Sequence, residues 1–180
     1  MNQTTILDAI FIDRDGTIGG DDTIHYPGDF ECYPYTYSCM EQLKANGLKV
    51  FSFTNQPGIS EGIASEREFI DELRSFGFDD VFICPHSPKD GCKCRKPGTG
   101  MLVDAAQKHQ LDLKNCIVIG DRWTDMAAAA KANCTKILVK TGSGQTSLTT
   151  DKEKLDGISI NYIAENLHDA IQWILQSKED

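Results

Sequence analysis

The chain has 180 residues, 40% of them hydrophobic and 25% charged, which is typical of a single globular domain and unlike a disordered segment. Its formal net charge of −9 argues against nucleic-acid binding, and no apolar run approaches the roughly 18 residues of a membrane span. The first residues, MNQTTILDAIFIDRDG, lack the basic stretch of a secretory signal. We therefore expect a cytoplasmic protein, one domain over residues 1–180, that is a monomer or weak homo-oligomer and binds neither membrane nor nucleic acid.

Short apolar runs rich in β-branched residues alternate with longer amphipathic segments along the chain. The apolar runs lack polar alternation, which predicts buried strands of a parallel sheet over residues 6–13, 48–54, 80–84, 116–121 and 136–140. The amphipathic segments predict helices over about 35–46, 65–76, 100–110, 124–133 and 166–176. Ser65 and Glu68 form an S-x-x-E capping box at the start of the second helix.

This alternation of strands and helices predicts an α/β fold, a Rossmann-like three-layer sandwich around a central parallel sheet. Residues 142–157 are polar and rich in Gly, Ser and Thr, so we expect a mobile loop there.

Ligands of open α/β sheets bind beyond the carboxyl ends of the strands, so the residues that follow each predicted strand are the candidates for a site. The first strand is followed by DRDGT (13–17), the second by TNQ (54–56) and the fourth by GDRWTD (120–125), and RKP (95–97) introduces a helix. Four aspartates thus converge on one edge of the sheet. Any one of them could be an ordinary turn residue, but together they are suited to one task.

That task is phosphoryl transfer. Two carboxylates spaced i, i+2 across a tight turn can point at one small volume, where one attacks phosphorus and the other handles the leaving-group proton. Mg²⁺ prefers carboxylate, phosphate and water oxygens as ligands. A Thr hydroxyl and a Lys ammonium can then neutralise charge on the equatorial phosphoryl oxygens.

The four motifs, in this order, resemble those of the haloacid dehalogenase superfamily of aspartyl-phosphate phosphatases. The resemblance covers about residues 6–142, and the tail fits as a closing strand and helix. It implies that Asp13 is the nucleophile and that Asp15 is the general acid and then the general base. It also implies that Thr54 and Lys96 stabilise the phosphoryl group, and that Asp13, the backbone carbonyl of Asp15 and Asp121 bind Mg²⁺.

Further residues of the same motifs are expected to support this site. Asp125 and Arg122 are predicted to orient it without binding the metal, and Asp125 is expected to do so together with Lys96. Asn55, Gln56 and Arg95 are predicted to bind substrate, and Arg95 is the candidate for recognising the leaving group.

A second ligand-rich segment, which we call the Cys/His loop, spans residues 84–94 (CPHSPKDGCKC). Its four candidate ligands are sufficient for a closed, structural Zn²⁺ site: Cys84, His86, Cys92 and Cys94. A chance cluster of reduced cysteines and a redox C-x-C pair are weaker alternatives. The remaining cysteines are scattered along the chain and are expected to be buried free thiols: Cys32, Cys39, Cys116 and Cys134.

The Cys/His loop leading into RKP resembles the subfamily IIIA branch that contains heptose bisphosphate phosphatases and histidinol-phosphate phosphatases. TNQPGISEG and LVKTG are similar to the heptose side, whereas the short gap between His86 and Cys92 is similar to the histidinol-phosphate side. The resemblance implies a Mg²⁺-dependent phosphatase of a small phosphorylated metabolite, with the heptose bisphosphate favoured. Histidinol phosphate, or a non-catalytic zinc- or phosphate-binding module, is the alternative.

The intervals between the motifs are also informative about the substrate. Those from Asp13 to Thr54 and from Thr54 to Lys96 are too short to contain a cap domain. Loops 19–33 and 57–62 and the Cys/His loop are therefore expected to form the walls of the site.

Overall fold

The computed structural model describes residues 7–177, which contain one six-stranded sheet with every neighbouring pair of strands parallel. In chain order the strands are β1 (Ala9–Ile12), β2 (Lys49–Asn55), β3 (Asp80–Cys84), β4 (Cys116–Gly120), β5 (Thr135–Val139) and β6 (Tyr162–Ala164). Across the sheet the order is β3-β2-β1-β4-β5-β6, so β1 lies between β2 and β4.

Helices cover both faces of the sheet, as the three-layer prediction requires. They are α1 (Thr36–Ala45), α2 (Glu66–Ser75), α3 (Gly100–His109), α4 (Trp123–Lys131), α5 (Gly144–Leu148) and α6 (Leu167–Gln176). Single 3₁₀ turns occupy Pro57–Ile59, Leu113–Asn115 and Lys152–Leu155.

The core consists of two apolar clusters, one on each side of the sheet. Ile10 and Ile12 of β1 pack with α1, α2 and α6, whereas Ala9 and Phe11 pack with α3 and α4. Successive side chains of a strand point to opposite faces, and both faces of β1 are fully buried. A continuous apolar run is therefore what a central parallel strand requires, and the fold class predicted from the sequence is confirmed.

The predicted elements are present with small shifts at their ends. The first predicted strand began at Ile6, which lies outside the described residues, and the observed strand starts at Ala9. The capping box of α2 is confirmed, since Ser65 Oγ accepts from the N–H of Glu68 at 3.2 Å and Glu68 Oε2 accepts from the N–H of Ser65 at 2.7 Å. Within residues 7–177 no helix combines the length and the apolar content that crossing a bilayer would need.

The prediction of a mobile loop over residues 142–157 is wrong, because this segment forms α5 and a 3₁₀ turn. Ser147 Oγ donates to the backbone carbonyl of Asp121 at 3.0 Å and accepts from the N–H of Trp123 at 3.1 Å. Gly144 is buried, and a Cβ at this position would overlap the carbonyl oxygen of Val139. The small residues here allow close packing against the ends of β4 and β5 and do not signal flexibility.

We therefore expect Gly144→Ala to destabilise the protein by about 2 kcal/mol, because an added methyl group must displace backbone atoms in a close-packed region. Urea unfolding followed by circular dichroism measures the difference. The matched control is Gln145→Ala, which changes an exposed side chain of the same helix and should leave the midpoint within error. Equal stability of the two variants would contradict the packing described for α5.

Candidate active site

The carboxyl ends of β1, β2 and β4 meet at a cavity of about 260 Å³. Since β1 lies between β2 and β4, the motifs that follow these strands are brought together as the sequence predicted. The cavity is lined by Asp13, Asp15, Ile24, Thr54, Asn55, Arg95, Lys96, Arg122 and Thr124.

A buried ammonium group, that of Lys96, joins two of the motif carboxylates. Its Nζ lies 2.8 Å from Asp13 Oδ1 and 2.7 Å from Asp125 Oδ1, and it donates to the carbonyl oxygen of Phe53 at 2.9 Å. Burial by itself would lower the pKa of Lys96, but the carboxylates of Asp125 and Asp13 outweigh burial and raise that pKa above its ordinary value. Lys96 is therefore held as a cation.

Three carboxylates form a group with the spacing of a cation site. Ligand oxygens of Asp13, Asp121 and Asp125 all lie within 4.8 Å of one another. Burial, followed by the charges of Asp13 and Asp125, raises the pKa of Asp121 well above its usual range. Burial likewise raises the pKa of Asp125 to about 6, although Lys96 opposes the shift. Clustered carboxylates with raised pKa values are the environment that a divalent cation stabilises.

The Asp121 carboxylate is held on one oxygen only. Its Oδ2 accepts from the N–H of Ser143 at 2.7 Å, whereas Oδ1 is buried and meets no hydrogen-bond donor within residues 7–177. Such an orphaned buried oxygen fits a metal ligand. Gly16 and Gly142, both with positive φ (79° and 54°), flank this carboxylate, and a Cβ on either would overlap Oδ2.

The Asp15 carboxyl group is buried and held on both oxygens. Oδ1 accepts from Arg14 Nη1 at 2.8 Å and from the N–H of His25 at 3.4 Å, and Oδ2 accepts from Gln56 Nε2 at 2.7 Å. Burial raises the pKa of Asp15, and the Arg14 guanidinium opposes the shift. A carboxyl group with a raised pKa beside a second carboxylate suits proton transfer.

Of the three residues predicted to bind substrate, two line the cavity and one does not. Arg95 lines the cavity and donates through Nη1 to the carbonyl oxygen of His86 at 3.2 Å. Asn55 also lines it, but its amide accepts from the N–H of Lys96 at 3.1 Å and donates to the carbonyl oxygen of Lys96 at 3.3 Å. Gln56 is fully buried, lies outside the cavity lining, and contacts Asp15 and Thr54.

The two residues predicted to orient the site without binding the metal, Asp125 and Arg122, differ in their position relative to the cavity. Asp125 is fully buried, its Oδ1 lies 2.7 Å from Lys96 Nζ, and its Oδ2 accepts from the N–H of Arg122 at 2.9 Å. The Arg122 side chain is exposed, lines the cavity, and donates through Nη2 to the carbonyl oxygen of Asp22 at 2.6 Å. The Arg122 side chain faces the space that a substrate would occupy. Its sequence position beside Asp121 gave no indication of this direction.

The Cys/His loop brings its four candidate ligands together: Cys84, His86, Cys92 and Cys94. The Sγ of Cys94 lies 3.2 Å from both Cys84 Sγ and His86 Nδ1, and Cys84 Sγ lies 3.6 Å from Cys92 Sγ. A tetrahedral Zn²⁺ with Zn–S bonds of about 2.3 Å has ligand–ligand edges of about 3.8 Å, so these separations fit a zinc ion after a small expansion.

Sequence reasoning missed three features of the site. Arg14 is fully buried inside DRDGT and reaches Glu72 of α2, 2.7 Å away. The position of Arg14 between two aspartates was a usable signal, but nothing in the sequence marks Glu72 as its partner. Ile24, in loop 19–33, and Thr124, within GDRWTD, also line the cavity, although neither was singled out as a site residue.

Comparison with known proteins gives consistent matches. A family model described as HAD-hydrolase-like matches residues 93–170. The D-glycero-β-D-manno-heptose-1,7-bisphosphate 7-phosphatase of Photorhabdus laumondii is 35% identical over 177 residues, covering 88% of this chain and 93% of the relative. The protein of the same name from Escherichia coli K12 is 34% identical over 175 residues, covering 87% and 90%.

Among solved structures, D,D-heptose 1,7-bisphosphate phosphatase from Bordetella bronchiseptica, complexed with magnesium and phosphate, aligns with a TM-score of 0.80 at 31% identity. The alignment covers 94% of this chain and 99% of that one. The similarity in both sequence and fold therefore spans most of this chain and most of each relative.

We expect Lys96→Met to lower the free energy of unfolding by about 3–5 kcal/mol, because it leaves the buried carboxylates of Asp13 and Asp125 without their cation. Adding Asp125→Asn should restore part of the loss, since one of the two stranded charges is then removed. Urea unfolding in buffer without added Mg²⁺ measures both variants. A double variant no more stable than Lys96→Met would contradict the charge coupling.

Proposed function

The chain belongs to the haloacid dehalogenase-like hydrolases, and from that membership and the geometry of its site we propose that it hydrolyses D-glycero-β-D-manno-heptose 1,7-bisphosphate at the 7-phosphate. The observation that carries the proposal is the pair of carboxyl groups, Asp13 and Asp15, which line one cavity with the Lys96 ammonium 2.8 Å from Asp13. The names of the relatives supply the substrate.

In the first half-reaction, an Asp13 oxygen attacks phosphorus and forms an acyl phosphate. The bond from phosphorus to the sugar oxygen breaks, the bonding electron pair stays on that oxygen, and Asp15 donates the proton that makes it an alcohol. Lys96 and the Thr54 hydroxyl, both at the cavity wall, offset the charge on the equatorial phosphoryl oxygens.

In the second half-reaction, the Asp15 carboxylate takes a proton from a water molecule as the water oxygen attacks phosphorus. The bond between phosphorus and the Asp13 oxygen breaks, so inorganic phosphate is released and the Asp13 carboxylate is regenerated. Asp15 returns to its protonated state and Asp13 to its charged state, so the cycle closes without a further reactant.

Residues of the described chain fit two metal ions with different tasks. Asp13, Asp121 and the backbone carbonyl of Asp15 would hold Mg²⁺, and Asp125 would remain with Lys96. When bound, Mg²⁺ supplies charge neutralisation to the phosphoryl oxygens and to the carboxylate cluster. The four ligands of the Cys/His loop would enclose Zn²⁺ with no open position, so that site is structural.

Two arginines at the cavity favour a bisphosphate over the alternative substrate. Arg95 and Arg122 each donate to one backbone carbonyl, and both line the cavity beside Lys96. A second phosphate complements this positive wall, whereas the ammonium group of histidinol phosphate would be repelled by it. Ile24 supplies an apolar contact in the same cavity.

We expect kcat/KM with Mg²⁺ to be at least 100-fold higher for the heptose 1,7-bisphosphate than for histidinol phosphate, equivalent to about 2.7 kcal/mol of transition-state discrimination. Both anomers of the bisphosphate should be tested, with Asp13→Asn as the blank. A preference for histidinol phosphate would overturn the proposed substrate. Activity that survives Asp13→Asn would overturn the proposed nucleophile, and an inert wild-type protein would favour a binding module.

We expect about one equivalent of tightly bound zinc per chain, held by the Cys/His loop. Metal analysis of Cys94→Ser should show a loss of most of that zinc together with reduced stability, because the loop loses one ligand. The matched control is Cys32→Ser, which should retain the metal; Cys32 lies outside the loop and is half-buried, unlike Cys39, Cys116 and Cys134, which are buried as expected. Under half an equivalent of zinc in the wild-type protein would count against the site.

A further inference from the structure

Arg14 is the largest fully buried side chain of the described chain, and it bridges the active site and α2. Its Nη1 donates to Asp15 Oδ1 at 2.8 Å and to the carbonyl oxygen of His25 at 2.7 Å, and its Nη2 donates to Glu72 Oε2 at 2.7 Å. The guanidinium also stacks over Phe30, with Cζ 3.9 Å from the ring centroid. Both terminal nitrogens of the planar Arg14 guanidinium are thus held by hydrogen bonds.

Glu72 holds the Nη2 end of this guanidinium and has a second partner of its own. Its side chain is 13% exposed, and Oε1 accepts from the N–H of Gly28 at 3.0 Å. Glu72 therefore ties α2 both to Arg14 and to the loop that forms one wall of the cavity. A guanidinium with its Nη2 end anchored on Glu72 has its Nη1 end directed at Asp15.

The Asp15 carboxyl group is consequently held on both oxygens, by Arg14 at 2.8 Å and the N–H of His25 at 3.4 Å on Oδ1 and by Gln56 at 2.7 Å on Oδ2. The short, charged Arg14 contact on Oδ1, opposed by the Gln56 amide on Oδ2, sets the plane of the carboxyl group, because the long His25 contact on Oδ1 is a much weaker restraint. We propose that Glu72, acting through Arg14, is a positioning residue that orients the Asp15 carboxyl group toward the leaving-group oxygen. This inference rests on the proposed phosphatase function.

The chemistry of the leaving group makes the inference testable. When the bond from phosphorus to a sugar oxygen breaks, that oxygen takes the electron pair and needs the Asp15 proton, because an alkoxide is a poor leaving group. A 4-nitrophenolate ion is stable without the proton. Misorientation of Asp15 should therefore slow cleavage of an alkyl phosphate and leave cleavage of 4-nitrophenyl phosphate nearly unchanged.

The test is the ratio of kcat/KM for the sugar phosphate that the wild type cleaves best to kcat/KM for 4-nitrophenyl phosphate, measured in one preparation. This ratio is independent of the fraction of folded enzyme, and kcat/KM reports the steps up to the first irreversible one. In Glu72→Gln the single amide oxygen can accept from Arg14 or from Gly28 but cannot replace both carboxylate contacts. We expect the ratio to fall at least tenfold, with 4-nitrophenyl phosphate cleavage changed by less than threefold.

Two reference variants accompany it. Glu66→Gln makes the same change at an exposed position of the same helix and should keep the wild-type ratio. Asp15→Asn removes the proton donor and should show the largest fall.

The outcomes separate this inference from the proposed function. Equal losses on both substrates would mean that Glu72 has only a structural role, and wild-type activity on both would mean that Asp15 is oriented without it; either result overturns the inference. An inert wild type, or activity that survives Asp13→Asn, would instead overturn the proposed function.

Discussion

The site depends on one buried cation shared between two carboxylates. The Lys96 ammonium lies within 3 Å of both Asp13 and Asp125, at a point where side chains from three neighbouring strand ends and the segment after the Cys/His loop converge. Burying any one of these charges alone would be costly, and together they compensate one another. In the proposed reaction, Lys96 would hold Asp13 in place for attack and also present positive charge to the phosphoryl group.

Much of the surrounding structure fixes the position of Lys96. The Asn55 side chain forms hydrogen bonds to both backbone polar groups of Lys96, and this joins the end of β2 to the segment that leaves the Cys/His loop. Arg95, immediately before it, is tied to the carbonyl oxygen of His86. The Cys/His loop is thus joined to Lys96 by covalent and hydrogen-bonded connections, so a metal held there would also help to fix the position of the Lys96 ammonium.

The sequence predicted the fold and the convergence of the motifs, since buried parallel strands have a distinctive composition and their ends must meet at one edge of the sheet. It did not reveal which way each motif residue points. Within TNQ, Thr54 and Asn55 reach the cavity wall while Gln56 turns inward to Asp15. Arg122 was predicted to orient the site without contacting substrate, but its side chain lines the cavity. Side-chain direction at a strand end depends on turn geometry, which residue identity alone does not determine.

The partnership of Arg14 and Glu72 and the helix α5 were missed for a related reason, because both depend on contacts between distant segments. Glu72 lies 58 positions from Arg14, on a helix whose sequence pattern reports only its apolar face. The small residues of α5 resemble those of a loop in the sequence, and only their contacts with the ends of β4 and β5 show that they are closely packed. In each case a tertiary contact decides the role of a residue whose local signal is neutral or misleading.

The charge distribution explains how a chain with a net charge of −9 can accept an anionic substrate. The carboxylates that would bind the metal are buried, so their charge acts on a cation at short range. A bound cation would neutralise that charge and so reduce its effect on the cavity. Arg95, Lys96 and Arg122 line that cavity, and they set the local potential that a phosphate ester meets. An extended polyanion needs a broad positive surface, whereas a small anion needs only a single positive wall, so a negative net charge is compatible with binding of a small phosphate ester.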